Sequence, residues 1–186
     1  MRYWWIGALL AVAQPAQAQA VFGLRMGTPT TELSLPKLQA TDTYTVQVPQ
    51  PQPEFDFYMV TAPPKIGLCR ILAIGQVYKG PDAERQVLAT FDRIKAAVEK
   101  DYGEGEQMSR RERDGRGWAE QLRADNGTFH SAYWPKGLSY TNYGISPDIR
   151  SISMDVKALS TGELYVVLRY EFTNVLECRA LEKGSG

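Results

Sequence analysis

The sequence predicts an α+β domain of two layers, a mostly antiparallel sheet with helices on one face, and three stretches carry that expectation. Residues 82–102 place Val87, Phe91, Ile94, Val98 and Tyr102 at spacings of four, three, four and four, the apolar stripe of a helix lying on a flat surface. Residues 151–172 alternate with period two on both sides of a Thr161-Gly162 turn, as a long hairpin does. Leu68, Cys69, Ile71, Leu72, Ala73 and Ile74 form a nearly unbroken apolar run within 66–78, which reads as a central strand covered on both faces, or nearly so.

The elements follow in order. Residues 21–27 read as a short strand leading into a short helix. Thr28 before Pro29, with Glu32 in the first turn, opens a short helix that Pro36 limits to about two turns. Tyr44, Val46 and Val48 share one face of a strand over 43–48. Pro49-Gln50-Pro51-Gln52-Pro53 lacks the amides a sheet ladder needs and is expected to be an extended surface connector. Phe55, Phe57 and Met59 then alternate with Asp56 and Tyr58, and Pro63-Pro64 ends that strand. After the central strand, Gly80-Pro81-Asp82 starts the long helix and Gly103 stops it.

In residues 109–125 five arginines interleave with Glu112, Asp114, Glu120 and Asp125. A charged surface segment is expected, with Arg110/Asp114 and Glu112/Arg116 at helical spacing and Trp118 and Leu122 pinning a short helix. Residues 128–134 read as a strand. In the closing hairpin Ile152, Met154 and Val156 face the same way, as do Leu164, Val166, Leu168, Tyr170 and Phe172. The opposite face, with Arg169, Glu171 and Thr173, is expected to be at least partly wet.

Composition narrows the function. The 186 residues hold 21 basic and 21 acidic side chains, 44% hydrophobic residues, one His and two Cys. Zero net charge supplies no field to gather nucleic acid or an anionic membrane, and one His with two Cys cannot complete a four-ligand Cys/His zinc site. No metal and no cofactor is expected.

Arg2, the apolar run over 4–13 and two overlapping small-x-small sites, Ala16-Gln17-Ala18 and Ala18-Gln19-Ala20, have the form of a secretory signal peptide, too short in its apolar part to span a bilayer. We therefore expect a leader over residues 1–20, a single domain over 21–186, and a periplasmic or secreted protein with no integral membrane segment after cleavage. In an oxidising compartment Cys69 and Cys178 are expected to bond to each other, closing a loop of more than half the chain. By chain entropy such a loop is worth roughly 4–5 kcal/mol.

Reactive constellations are sparse. No G-x-S-x-G elbow occurs, and Gly137-Leu138-Ser139-Tyr140 lacks its closing small residue. His130 and Ser131 are neighbours on a strand and so point to opposite faces. An apolar strand is a poor setting for a Cys69 thiolate paired with His130. Glu54/Asp56 and Glu104/Glu106 are carboxylate pairs of a kind common in any chain this acidic. No catalytic residue is assigned. Trp134, Tyr140 and Tyr143, in or beside a loop of Ser, Thr, Asn, Gly and Lys, have the composition of a binding loop, and equally of lids folded over a core. A non-enzymatic binding module with a protein partner is the leading expectation. The alternatives are a small periplasmic hydrolase using His130 with a carboxylate, and a carrier of a small apolar ligand, which requires an enclosed cavity between sheet and helix.

Phe22-Gly23-Leu24-Arg25-Met26-Gly27-Thr28-Pro29-Thr30-Thr31-Glu32-Leu33 resembles the strand-to-helix entry of small bacterial envelope modules of the β-lactamase-inhibitor-like type. The resemblance implies a helix-on-sheet module that binds other proteins and performs no chemistry. Pro36 departs from it, shortening a helix that such modules continue.

Overall fold

The computed structural model describes residues 19–33, 42–113, 115–124, 127–136, 144–160 and 162–184. It is an α+β fold with a mostly antiparallel sheet and three α-helices. A two-residue hairpin, β1 (Ala20–Val21) with β2 (Leu24–Arg25), leads to one 3-10 turn over Thr30–Leu33. The Pro36 boundary lies outside the described residues.

The main sheet is built from two meanders. The first is β3 (Thr43–Val46), β4 (Phe55–Thr61) and β5 (Arg70–Gly75), extended by the short β6 (Tyr78–Lys79). The helix α1 (Ala83–Tyr102) then crosses to the far edge. The second meander is β7 (Glu106–Arg110), β8 (Phe129–Trp134), β9 (Ile149–Ser160) and β10 (Glu163–Phe172), with the helix α2 (Trp118–Arg123) between its first two strands. The order is β3-β4-β5-β10-β9-β8-β7, and β6 also pairs with β10, so the last strand zips the two meanders together. The helix α3 (Val175–Gly184) follows.

Helix α1 buries Val87, Phe91, Ile94 and Val98, the expected stripe, and ends at Gly103, whose φ of 80° suits a residue without Cβ. The facing strand residues Ile71, Ala73, Ile152, Met154, Val166 and Leu168 are almost fully buried. Tyr44, Val46 and Val48 are buried as their alternation requires. Cys69, just before β5, is bonded to Cys178 in α3 across a separation of 109 residues.

Four expectations are corrected. Phe55 and Phe57 do not share a face: a bulge at Asp56 puts Phe55 opposite Gly75 and Phe57 opposite Ile74. Tyr58 and Val60 therefore turn inward, leaving Phe57 44% exposed. The central run alternates buried and half-buried residues over β5, so only one of its faces is roofed. Residues 106–110 form an edge strand, and Arg110 pairs with Glu112 (2.9 Å) and Arg111 with Glu84 of α1 (2.7 Å) where a helical ladder was expected. Glu171 is buried on the face expected to be wet, held by Arg179 at 2.7 and 2.8 Å, Arg70 at 3.3 Å and Ser151 at 3.2 Å.

Candidate binding face

Both α1 and α2 lie on one side of the sheet. The rings of Phe91 (α1) and Trp118 (α2) meet His130 of β8 at centroid distances of 4.5 and 5.9 Å, and Tyr102 meets Tyr170 of β10 at 6.1 Å. The register then fixes what stands on the other side. Phe57, Ile74, Val167, Asp155, Ser131 and Met108 form one rung across it. Met59, Leu72, Arg169, Ser153 and Tyr133 form the next, and Thr61, Arg70, Glu171 and Ser151 a third.

The third rung is closed by the carboxylate cluster, through which α3 grips the sheet. The first two are not closed: Phe57 is exposed, and Met59, Leu72, Ile74, Arg169, Tyr133 and Met108 are each partly accessible. The apolar members gather on β4 and β5 and the polar ones on β8 and β9, where Ser131 donates to Asp155 at 2.6 Å. The result is a mixed surface, apolar on its β4–β5 side and polar on its β8–β9 side, where accessible apolar side chains can meet a partner.

Trp134 lies in the core, one of the two placements its loop composition allowed. Its ring is 2% exposed and lies against Gly105, where a Cβ would have no room, and its indole N–H donates to the Gly103 carbonyl at 2.9 Å. Glu99 holds that bed in place by accepting from Gly105 N–H (3.2 Å) and Lys95 (2.7 Å), and the Lys95 contact keeps its carboxyl below the ordinary carboxylate range. Tyr140 and Tyr143 lie outside the described residues. The buried Gln121 went unremarked in the sequence. Its amide group bonds Glu112 N–H, Glu112 C=O and Arg116 C=O at 3.0–3.2 Å, so it ties down the arginine-rich loop.

His130 points to the helix side and Ser131 to the other, as strand alternation requires. The imidazole Nδ1 is 3.0 Å from Ser109 Oγ and Nε2 is 3.4 Å from the Gln107 amide, and burial pushes its pKa down against a smaller opposing pull from Asp92. A hydrolase built on His130 needs a carboxylate to orient the ring, and both ring nitrogens face uncharged groups. Among the described residues no cluster of three or more His, Cys, Asp or Glu could hold a metal ion, and no helix is long and apolar enough to cross a membrane.

A cavity of about 290 Å³ opens between Phe22, the Gln50–Gln52 stretch, Asp101, Tyr102 and Tyr170. Burial raises the phenol pKa of Tyr102 to about 12 and that of Tyr170 further still. The cavity is open and mainly polar, which suits neither the enclosure nor the lining that an apolar ligand requires. No protein-family model matches the chain, and neither does any curated protein or solved structure.

Proposed function

We propose that the chain is an exported, non-enzymatic binding module of the bacterial envelope, of the inhibitor, immunity or accessory kind, and that it holds a protein partner against the uncovered face of its sheet. The observation that carries this reading is the accessible apolar patch formed by Phe57, Met59, Leu72 and Ile74 on β4 and β5, two strands whose other face is buried. A buried disulfide, the two small-x-small sites and the absence of net charge are compatible with a protein that works outside the cytosol by shape complementarity.

The test is affinity capture from envelope extract with three baits: the exported protein, a Phe57→Lys/Leu72→Lys variant, and a Tyr140→Ala/Tyr143→Ala variant. The first variant is expected to lose a protein that the unaltered bait retains, with its melting temperature little changed. Equal retention by the sheet-face variant, with loss by the tyrosine variant, would move the interface to the 137–143 loop.

A further inference from the structure

We propose that export processing cuts between Ala18 and Gln19, and that the α-ammonium freed on Gln19 is captured by the Asp148 carboxylate, which fastens the mature N-terminus to the sheet and shields Gln19 from cyclisation. The proposal rests on the export reading above. The sequence offers two overlapping sites, one ending at Ala18 and one at Ala20. The fold separates them.

The backbone N–H of Gln19 donates to Asp148 Oδ2 at 2.7 Å, so an ammonium formed at that nitrogen would already stand at charge-assisted hydrogen-bond distance from the carboxylate. Ala20 pairs with Arg25 in the β1–β2 hairpin and lines the cavity beside Tyr102 and Tyr170. A cut after Ala20 would remove the Asp148 contact and half of β1. A cut after Ala18 keeps both.

The hairpin holds Gln19 in place from one side. Its turn puts Phe22 at φ 53° and Gly23 at φ 82°, and the left-handed conformation is costly for a bulky residue such as Phe22. Offsetting that cost, the Phe22 ring sits among Phe55, Tyr58 and Tyr170 at 4.9–5.8 Å, and its carbonyl accepts Gln50 N–H at 3.1 Å. Asp148 is held from the other side. Its carbonyl accepts Thr173 N–H at 2.9 Å at the end of β10, and the following Ile149 is buried at the start of β9.

The processing step is hydrolysis. Water adds across the Ala18–Gln19 peptide bond, the C–N bond breaks, the leader keeps a carboxylate, and Gln19 keeps an amine that takes up a proton. An N-terminal glutamine with a free amine can then attack its own side-chain amide, closing a five-membered lactam and expelling ammonia. Only the unprotonated amine attacks. A carboxylate that holds the ammonium therefore slows cyclisation, and the lactam nitrogen, carrying no charge, would forfeit the ion pair.

The experiment is N-terminal sequencing and intact-mass analysis of protein recovered from the export compartment of a secreting host, followed over time at neutral pH. Gln19 is expected as the first residue, losing ammonia several-fold more slowly than in urea-unfolded protein, and Asp148→Asn is expected to remove much of that difference. Should the variant fail to fold, the folded-against-unfolded comparison of the unaltered protein still decides. A chain beginning at Val21 overturns the cut site while leaving export intact, whereas an uncut leader overturns export and this proposal together. Equal cyclisation rates in folded and unfolded protein overturn the pairing with Asp148.

Discussion

The two faces of the sheet share every backbone hydrogen bond and differ only in what covers them. On the side of α1 and α2, Ile71, Ala73, Ile152, Met154, Val166 and Leu168 are 0–1% exposed. On the reverse, residues one position along the same strands, such as Leu72, Ile74, Ser153 and Arg169, remain partly accessible. The roofed face binds the protein together, and a change there is paid in stability. Apart from the Glu171 rung that holds α3, the accessible residues of the open face carry less of that duty, so changes at them should register in partner binding instead.

The largest expected effect is on the roofed face. Phe91 is fully buried between helix and sheet, and Phe91→Ala should cost about 3–5 kcal/mol in denaturant unfolding. A cost below about 1 kcal/mol would mean that the helix layer is not the main source of stability. Next comes the staple: reduction of Cys69–Cys178, or Cys178→Ser, should cost about 2–5 kcal/mol by freeing α3 and the start of β5. Glu171→Gln, which leaves Arg70 and Arg179 without their buried carboxylate, should cost about 1–3 kcal/mol. On the open face Phe57→Lys should stay within about 0.5 kcal/mol of the unaltered protein while weakening partner capture.

The smallest effect is a pH dependence. Burial holds the His130 pKa below its ordinary value near 6.5, so the unfolded chain takes up its proton first as pH falls. The stability contributed by the neutral ring is complete above that value and lost as pH drops toward the folded pKa. In chemical unfolding across this window, His130→Gln should flatten the slope. An unchanged slope would assign the titration to other groups.

The roofed face was far more legible in the sequence than the open one. Helix α1 and the strands of the closing hairpin announce themselves because burial on one side imposes a period that polar residues cannot mimic. The edge strand β7 has only Met108 as an apolar residue among Glu106, Gln107, Ser109 and Arg110, so its pairing with β8 left no pattern. Among the described side chains of α3 only Val175 and Cys178 are buried, too few to show as a stripe, although Asn174 three residues before Glu177 is a helix-start signature. The bulge at Asp56 moved Phe57 onto the open face, and alternation alone assigns it to the other one. For Trp134 the sequence leaves core and surface equally open. Its burial depends on Gly105, 29 residues away in the loop after α1, a contact that no local pattern encodes.

The central claim is that the open face is where a partner sits, and methionine oxidation reads it directly. Met59 stands on the open face and Met154 on the roofed one, in a chain that is otherwise the same molecule. Hydroxyl-radical footprinting of the exported protein, free and in complex with the protein captured from envelope extract, should oxidise Met59 in the free state, protect it in the complex, and leave Met154 untouched in both. Equal oxidation of Met59 in the two states would contradict the account.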